Sequence, residues 1–375
     1  MTSREPTPLQ NLAETFEIAR HKRKAVRSSF GAIEYLRLTD RFGSLPRGTV
    51  MIGDQGVFGY PSIGRLLALK PGLRAHFQGP FWVEEKVNGY NVRIFRRGDH
   101  LLALTRGGFI CPFTTDRIVD LLDPGIFDQE PDLVVCGEMA GPEQPYLESH
   151  PPFVVEDVQL FVFDLMRLNR PGFLPQPEAY ALMETLGLRT VQRFGRFTAE
   201  AIPAIHDILL RLNVEGREGL VFKEEGGHGR RAKYVTSDSS IADIRVTAAE
   251  IMELPPEFFT NRILRLVLFL REQGLSQSAP LNERLGAAFL DGLMEAIHQF
   301  EDDQKVSRRF RCRFHDKHHA FALMQHLDSV GGHQVHITWQ DLRFEDGFWI
   351  LEFDKLYPSL TGLLATLMSG GLVFD

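Results

Sequence analysis

The sequence predicts an α+β protein with more than one domain. Up to about residue 240, short apolar runs bounded by Gly and Pro recur at the length of β-strands. From 241 to 300, the apolar residues recur at helical spacing instead. The chain has 375 residues, which by size alone fits two or three domains. Together these features indicate strand-rich domains followed by a helical region.

Composition restricts the kinds of partner. Hydrophobic residues make up 43% of the chain and charged residues 24%, with a net charge of −7, so any surface for nucleic acid must be a local patch. Three widely spaced cysteines indicate a reducing compartment rather than a disulfide scaffold. The N-terminus lacks the apolar core of a signal peptide, and no run of eighteen apolar residues occurs. We therefore expect a cytoplasmic protein without a membrane span.

The first part of the chain predicts a helix followed by a small β-rich module. Residues 10–29 carry apolar positions such as Leu12 and Phe16 at helical spacing. The Lys/Arg cluster at 20–27 either contacts phosphates or is a solvated helix end. From residue 31 to 71, glycines and prolines separate short apolar runs, which is typical of short strands.

The stretch FWVEEKVNGYNVRI predicts a β-hairpin with an unusual lysine. Residues 81–87 and 90–95 favour strands, and the Asn88-Gly89 pair between them is a strong hairpin signal. Lys86 stands two residues before this turn in an otherwise buried pattern. It is either an edge lysine that reaches to water or a covalent nucleophile, because a partly desolvated amine near other cations loses its proton readily.

Later strands place polar residues where a ligand could reach them. Strands are predicted over 101–104, 133–136, 160–165, 218–223 and 231–235, and helices over 115–124, 177–187 and 198–213. Arg106 precedes two glycines, which allow the backbone close to a phosphate or ribose. Asp164 lies in an apolar strand, so it is either paired in the core or directed at a site. Arg231 and Lys233 share a strand face and repel each other unless an anion lies between them, although a solvated face is the alternative.

Beyond residue 240, helices are predicted over 241–253, 257–273 and 281–300, followed by a mixed region. The apolar face through Leu266 and Phe269 fits either an internal core or a subunit contact. Further on, the alternation at 309–314 predicts a half-buried strand with a basic outer face and an apolar inner face. A strand pair is predicted at 334–353 and a helix at 358–369.

The basic strand lies beside four residues that could bind a metal. They are Cys312, His315, His318 and His319. A zinc site needs four ligands at a recognisable spacing, and these residues do not supply a fourth ligand at such a spacing. Metal binding is therefore the less favoured interpretation.

Taken in order, the motifs resemble those of the covalent nucleotidyltransferases, the superfamily of polynucleotide ligases and capping enzymes. The matching segments are Lys86-Val87-Asn88-Gly89, Gly137-Glu138, Phe161-Val162-Phe163-Asp164, Glu218-Gly219-Leu220-Val221-Phe222-Lys223 and Arg231-Ala232-Lys233-Tyr234. Asn91 and Thr105-Arg106-Gly107-Gly108 are further similar to RNA ligases. The whole layout is similar to the archaeal-type ATP-dependent RNA ligases, homodimers that join or circularise RNA. The motifs cover about residues 84–235.

This resemblance implies an architecture. We expect a nucleotidyltransferase core of antiparallel sheets flanked by helices at residues 66–238. A small N-terminal module at 1–65 would precede it. A helical dimerisation domain at 239–303 and a C-terminal α/β domain at 304–375 would follow.

The resemblance also implies a three-step reaction with ATP as co-substrate and Mg²⁺ or Mn²⁺. The catalytic Lys86 would attack the α-phosphate of ATP, AMP would pass to an RNA 5′-phosphate, and a 3′-hydroxyl would displace it. Glu218 would associate with the metal. The implied ATP/AMP-binding residues are Glu84, Glu85, Val87, Asn91, Arg106, Glu138, Phe163, Val221, Lys223, Arg231 and Lys233.

Individual roles follow from the same resemblance. Glu138 would contact the ribose, and Phe163 would stack on adenine unless it packs in the core. Glu85 and its backbone would read the adenine edge. Arg106 and Asn91 would hold ribose and phosphate in the later steps.

Two positions depart from the commonest family pattern. Asn88 stands where many members have Asp, and Arg231 stands where Lys is more frequent, which keeps the charge but changes its geometry. We expect Arg231, Lys233 and the metal to lower the pKa of Lys86 through like-charge repulsion.

Two alternatives remain at this stage. A DNA ligase or capping guanylyltransferase usually has an oligonucleotide-binding barrel after the last motif, whereas residues 241–300 look helical here. A non-enzymatic RNA-binding protein would use the basic patches at 20–27 and 305–317, and substitution of Lys86 would leave its function intact.

Overall fold

The computed structural model describes residues 8–225, 229–275, 279–331 and 336–372. Within these residues the strands form four sheets, and their pairings are antiparallel apart from one between two strands of the core. Helices flank the sheets, which confirms the predicted α+β class. No helix in the described ranges is long and apolar enough to cross a membrane.

The N-terminal module is a helix packed on a four-stranded sheet. Its elements are α1 (Pro8–His21), β1 (Ala25–Phe30), β2 (Ile33–Leu38), β3 (Val50–Ile52) and β4 (Gln55–Val57), in strand order β1-β2-β3-β4. The predicted helix over 10–29 is wrong beyond His21. Arg23 has a left-handed backbone with φ of 56°, which ends the helix, and the next residues pair with β2.

The central part of the chain contains two further sheets and their helices. Its elements are β5 (Gly64–Arg65), α2 (Leu69–His76), β6 (Phe81–Lys86), β7 (Tyr90–Arg97), β8 (His100–Thr105), α3 (Pro112–Leu121), α4 (Ile126–Gln129), β9 (Leu133–Ala140), β10 (Gln159–Arg167), α5 (Gln176–Thr185), β11 (Arg193–Phe197), α6 (Ile202–Val214), β12 (Gly219–Glu224) and β13 (Arg231–Val235). One sheet has the order β11-β6-β12-β13-β5, and the other has the order β10-β9-β7-β8. The sequence also predicts a glycine-rich loop at Gly226, Gly227 and Gly229, between β12 and β13, of which residues 226–228 lie outside the described residues.

The predicted hairpin at 81–95 is wrong, although both of its strands exist. β6 pairs with β11 and β12, whereas β7 pairs with β8 and β9, so the two strands belong to different sheets. Asn88-Gly89 carries the chain from one sheet to the other. A Cβ on Gly89 would lie 2.4 Å from the carbonyl oxygen of Met139, so this crossing needs glycine. The hairpin signal is local and does not report the distant partners of each strand.

The helical region follows the core, as predicted. It contains α7 (Ser237–Thr247), a 3₁₀ turn (Ala248–Glu250), α8 (Glu257–Glu272) and α9 (Ala279–Asp303). Leu266 and Phe269 of α8 are buried, Leu266 among the helices and Phe269 against the core, where its ring stacks on Tyr234. The face that remains exposed is a different one, which includes Leu264 and Val267.

The C-terminal domain is a three-stranded sheet with two helices. Its elements are β14 (Ser307–Phe314), α10 (Lys317–Gly331), β15 (His336–Glu345), β16 (Phe348–Leu356) and α11 (Pro358–Met368), in strand order β14-β16-β15. Phe310, Cys312 and Phe314 of β14 join the same buried cluster as the core sheet β10-β9-β7-β8. The predicted inward face of this strand is therefore confirmed.

The outer face of β14 does not form a free basic patch. Arg311 and Arg313 both bind the carboxylate of Glu143 at 2.6 Å, and Arg309 binds Asp354 at 2.9 Å. These arginines fasten the C-terminal domain to the core and to its own sheet, which weakens the interpretation of this strand as an RNA-binding surface.

Three of the four potential metal ligands near β14 are engaged in other ways. Cys312 is fully buried in the apolar core. His319 Nδ1 lies 2.8 Å from Asp116, and His315 Nε2 lies 2.8 Å from Asp120. These histidines join the C-terminal domain to α3. The described residues contain no group of three or more His, Cys, Asp or Glu that could hold a metal.

Arg93 of β7 fastens the N-terminal module to the core and supports a prediction on stability. Its fully buried guanidinium donates to the carbonyl oxygens of Phe58, Gly48 and Thr105 at 2.5, 3.0 and 2.8 Å.

Arg93→Met would leave these buried acceptors without this donor. We expect a loss of roughly 2–3 kcal/mol in the free energy of unfolding, measured by urea denaturation. Arg97→Met, on the half-buried end of the same strand, is the control and should cost less than about 1 kcal/mol. Equal losses of stability in the two variants would contradict the role of Arg93 in joining the N-terminal module to the core.

A buried cluster joins the helical region to the C-terminal domain. Lys355 Nζ lies 2.8 Å from Glu148 and 2.9 Å from Glu250, and the hydroxyl of Tyr357 donates to Glu148 at 2.8 Å. Burial, together with repulsion from Glu148, raises the pKa of Glu250 from 4.5 to about 7. Between about pH 4.5 and pH 7, Glu250 therefore keeps a proton in the folded protein that it releases in the unfolded chain.

This pKa shift predicts a pH dependence of stability. The contribution of Glu250 is complete below about pH 4.5 and is lost as pH rises through about 7. Glu250→Gln should therefore gain on the order of 1 kcal/mol over the wild type at pH 8 relative to pH 5. Melting temperatures at the two pH values measure this difference. A variant that loses stability relative to the wild type between pH 5 and pH 8 would refute the shift.

Candidate functional site

A cavity of about 850 Å³ lies where the N-terminal module, the two core sheets and α10 meet. It has the size of a nucleotide or cofactor pocket, for which roughly 300–1,000 Å³ is usual. Most of the residues expected from the sequence line it, namely Glu84, Glu85, Lys86, Val87, Asn91, Arg106, Glu138, Phe163, Val221, Lys223 and Lys233. Glu218 and Arg231 do not line this cavity but lie next to residues that do.

The pairing of β6 with β12 explains how Lys86 meets its acid. In this register Lys86 lies opposite Gly219, and its Nζ lies 2.6 Å from Oε2 of Glu218. Burial by itself would lower the pKa of Lys86, but the carboxylates of Glu218 and Glu138 outweigh it and raise the pKa.

The expectation that neighbouring cations lower the pKa of Lys86 is therefore wrong for the protein's own groups. Among them, Arg65 opposes the carboxylates, whereas Arg231 is engaged elsewhere. The protein holds Lys86 as an ammonium between two acids, in place and shielded from water.

Glu138 lies on the second sheet, where β7 and β9 pair it with Asn91. Burial raises its pKa to about 7, and Glu218 adds to this shift while Lys86 opposes it. The two acids around Lys86 thus come from different sheets, and the crossing at Asn88-Gly89 brings them together.

Lys233 supplies a second cation beside the first. Burial, then repulsion from Lys86 and Arg65, lowers its pKa to about 8. The expected repulsion between Lys233 and Arg231 is not among the causes of this shift, because Arg231 is paired with Asp164. Such crowding of amines and guanidinium groups in one cavity favours a bound anion.

An ion network lies beneath the cavity floor and was only partly foreseen. Asp164 is fully buried and binds Arg231 at 2.8 Å and Lys223 at 3.2 Å, and it accepts from Tyr60 at 2.6 Å. Lys223 in turn binds Glu84 at 2.6 Å. The paired alternative for Asp164 is therefore confirmed.

The network holds in place three residues that the resemblance implied as ATP/AMP-binding. Glu84, Lys223 and Arg231 are all less than 9% exposed, and their charged groups are satisfied by other protein groups. They shape and polarise the floor of the cavity. Sequence reasoning missed Tyr60 and Gln176, which both donate to Asp164, because neither stands in a recognisable motif.

Phe163 and Glu85 both border the cavity, but each also makes contacts within the protein. The ring of Phe163 packs edge-on against Tyr60, with centroids 5.3 Å apart, and it also borders the cavity. Glu85 binds Arg217 at 2.8 Å, and its backbone N–H donates to Gln192. A base in the cavity could thus meet one face of Phe163 but would find the Glu85 amide already engaged.

The two glycines after Arg106 serve different purposes. Gly107 lines the cavity, as expected for a close approach to a ligand. Gly108 lies instead against the N-terminal module, where an added Cβ would be 2.8 Å from the carbonyl oxygen of Gly48. Its φ of +78° also favours glycine.

The two acids of the site are too few to hold a divalent cation by themselves, so a substrate must supply further ligands. Glu218 and Glu138 both interact with Lys86, and the described chain offers no cluster of three potential ligands. Mg²⁺ is commonly held by one or two carboxylates, with phosphate and water completing its shell. The donor set fits a metal that arrives with a nucleotide.

Comparisons with known families cover most of the chain in two parts. Residues 79–235 match the family described as RNA ligase. Residues 246–371 match the family described as the C-terminal region of the ligase Pab1020. The first match contains the whole motif series, and the second spans the helical region and the C-terminal domain.

Individual relatives match over larger parts of the chain. A protein from Aquifex aeolicus, provisionally described as an ATP-dependent DNA ligase, is 50% identical with a TM-score of 0.92, over 96% of this chain and all of that one. An archaeal ATP-dependent RNA ligase is 31% identical with a TM-score of 0.86, over 98% of this chain and all of that one. An uncharacterised protein from Methanocaldococcus jannaschii is 30% identical over 302 residues, which are 78% of this chain and 76% of the relative.

Proposed function

The chain belongs to the RNA ligase family, and from this membership we propose that it uses ATP to seal a 5′-phosphate to a 3′-hydroxyl of RNA in three steps. The observation that carries the proposal is the position of Lys86, which lies between Glu218 and Glu138 in a cavity of nucleotide size. The ATP dependence of the archaeal relative supports the choice of nucleotide.

In the first step the Nζ of Lys86 attacks the α-phosphorus of ATP. The ammonium first loses a proton to water, which leaves a neutral amine. As this amine attacks, a P–N bond forms, the bond from the α-phosphorus to pyrophosphate breaks, and the nitrogen loses a second proton to water. Lys233 and Arg106 face the same cavity and balance the charge on the phosphates. Mg²⁺ or Mn²⁺ bound with the nucleotide would neutralise further phosphate charge, with Glu218 as its protein ligand.

The later steps move AMP from the lysine to RNA and then release it. An oxygen of the RNA 5′-phosphate attacks the phosphorus of lysyl-AMP, which frees Lys86 and forms a 5′–5′ pyrophosphate bridge. The RNA 3′-hydroxyl then attacks the RNA phosphate, closes the phosphodiester and releases AMP. We assign Phe163 to adenine, Glu138 to the ribose, and Arg106 with Asn91 to the later steps, since all five groups, Lys86 included, border one cavity.

Labelled nucleotide tests the proposal. Purified protein with Mg²⁺ and α-labelled ATP should acquire label that resists alkali and is released by acid, as a phosphoramidate is. Addition of 5′-phosphorylated RNA should move the label to the RNA and then yield sealed product. Label from GTP in place of ATP would indicate a capping enzyme, and no label from either would contradict the proposal.

DNA joining is the second candidate, because the Aquifex aeolicus relative at 50% identity is provisionally described as a DNA ligase. Both activities would share the lysyl-AMP step, so the nucleic acid must decide between them. Equal amounts of nicked duplex DNA and 5′-phosphorylated single-stranded RNA should be offered to the preformed adenylate. We expect RNA to be sealed faster, and faster sealing of DNA would reverse the assignment.

We further propose that the helical region makes a homodimer. Its exposed apolar side chains include Leu264, Val267, Leu290 and Met294, which are between 45% and 67% exposed. Such side chains on neighbouring helices favour a contact with a second copy. Light scattering at micromolar concentration should give twice the mass of the chain, and a monomer mass would refute the dimer.

We also propose that the sealing reaction can circularise RNA. A single-stranded RNA with both a 5′-phosphate and a 3′-hydroxyl can be closed on itself or joined to another molecule. Resistance of the product to exonuclease at low RNA concentration identifies a circle. Growth of linear multimers under the same conditions would instead indicate joining between molecules.

A further inference from the structure

The large cavity has a second wall that none of the residues assigned above explains. Arg37 and Arg47 come from the N-terminal module, Phe109 and Tyr146 from the core, and His326 from α10 of the C-terminal domain. Three separate parts of the chain thus converge on the cavity that holds Lys86.

This wall and its surroundings carry guanidinium groups that form no ion pair within the described residues. No carboxylate among the described residues lies within the 4.0 Å of an ion pair from Arg37, Arg47 or Arg106. Arg37 is half-buried, and burial followed by repulsion from Arg47 lowers its pKa, while Tyr35 opposes this shift. Arg37 and Arg106 each donate to a neutral oxygen, and among the described carboxylates only longer-range attraction to Asp40 and Glu138 acts on Arg47 and Arg106. Guanidinium groups without an ion pair around one cavity favour the binding of an anion.

Aromatic rings accompany the cations on the same wall. The guanidinium of Arg37 lies 3.6 Å from the centre of the Phe109 ring, and the rings of Phe109 and His326 are 5.0 Å apart. Tyr146 continues the series at 6.2 Å from His326. Burial, with Arg37 nearby, lowers the pKa of His326 to about 4, so its ring is neutral near pH 7. Aromatic faces beside arginine are the surfaces on which unstacked RNA bases bind.

A surface cleft of about 620 Å³ continues from this wall to the outside. Arg47, Tyr60, Arg106 and Gly107 border both the cavity and the cleft, and Arg41 lies farther along the cleft. Asp40 also borders the cleft but is paired with Lys24, so arginines predominate along the path that the cleft gives to a strand whose end lies in the cavity.

We propose that this wall, which we call the arginine–aromatic wall (Arg37, Arg47, Phe109, Tyr146 and His326), binds the 5′-phosphorylated terminal nucleotide of the RNA. The proposal rests on the proposed function, in which this phosphate receives AMP from Lys86. Arg37 and Arg47 hold the phosphate, and the ring of His326 stacks on the base, with Phe109 edge-on beside it. Lys233 and Arg106, which border the same cavity, remain for the phosphates of ATP.

Separating the half-reactions tests the wall. Arg37→Ala should form protein-AMP from ATP within about twofold of the wild type. Transfer of AMP from that adenylate to 5′-phosphorylated RNA should fall at least about 10-fold, as expected for loss of a charge-assisted contact. Arg74→Ala, an exposed arginine of α2 that borders neither the cavity nor the cleft, is the control and should change neither step.

The stacking part is tested at His326. His326→Ala should slow the transfer of AMP to RNA, and His326→Phe should restore it, because the ring and not the charge is required. A faster reaction of His326→Ala than of His326→Phe would overturn the role of the ring.

Two outcomes would overturn the role of Arg37. If Arg37→Ala loses protein-AMP formation but transfers AMP normally, the wall binds the ATP phosphates instead. If neither step changes, the wall binds no reactant. A wild-type protein that forms no protein-AMP refutes the proposed function alone, and fluorescence anisotropy then decides the wall. In that case 5′-phosphorylated RNA should bind tighter than 5′-hydroxyl RNA, and this preference should disappear in Arg37→Ala.

Discussion

Lys86→Ala is expected to lose ATP-dependent sealing by at least about 10³-fold while it still joins pre-adenylated RNA to a 3′-hydroxyl. The lysine forms the bond to AMP in the first step and is free again before the last one. RNA that already carries AMP bypasses the missing nucleophile. Gel assays with 5′-phosphorylated RNA plus ATP, and with adenylated RNA without ATP, measure the two rates.

Lys86→Arg provides the matched control for charge. It keeps a cation beside Glu218 but replaces the amine with a guanidinium that stays protonated. We expect it to be as inactive as Lys86→Ala with ATP, because nucleophilicity and not charge is required. Restoration of ATP-dependent sealing in Lys86→Arg would show that the residue acts only through its charge.

Asp164→Ala is expected to lower the free energy of unfolding by about 3–5 kcal/mol. The substitution leaves Arg231 and Lys223 buried without this carboxylate and removes the acceptor of the Tyr60 hydroxyl. Burial would raise the pKa of Asp164, but the two cations outweigh it and lower the pKa, so the carboxylate is charged in the folded protein. Urea denaturation at pH 7 measures the loss.

An exposed aspartate supplies the comparison for this network. Asp128 binds Arg96 at 2.6 Å, but its side chain is 70% exposed. Asp128→Ala should therefore cost less than about 1 kcal/mol, because water replaces the lost contact. Similar losses for the two aspartates would mean that the buried network contributes no more to stability than a surface ion pair.

The sequence was a good guide wherever a local pattern determines the outcome. The strands around Lys86, the strand that contains Asp164 and the helices after residue 240 all lie close to their predicted positions. Their periodicity depends on which face is buried, and that can be read from neighbouring residues. The motif order was equally informative, because the fold places eleven of the thirteen expected site residues on one cavity.

Long-range partners could not be inferred from the same patterns. Asn88-Gly89 has the local features of a hairpin turn, yet the chain passes there between two sheets whose other strands are far away in sequence. The buried arginine Arg93 looked like one of several charges in a strand, and only the fold shows its three carbonyl partners. Arg311 and Arg313 looked like a free basic face because their partner, Glu143, lies about 170 residues earlier.

The central claim is that Lys86 carries AMP, and one measurement tests it directly. The wild-type protein should be incubated with ATP and Mg²⁺, digested with a protease under alkaline conditions and analysed by tandem mass spectrometry. We predict one AMP adduct, located on Lys86 and removed by brief treatment with acid. An adduct on another residue, or none on a protein that still seals RNA, would contradict the account.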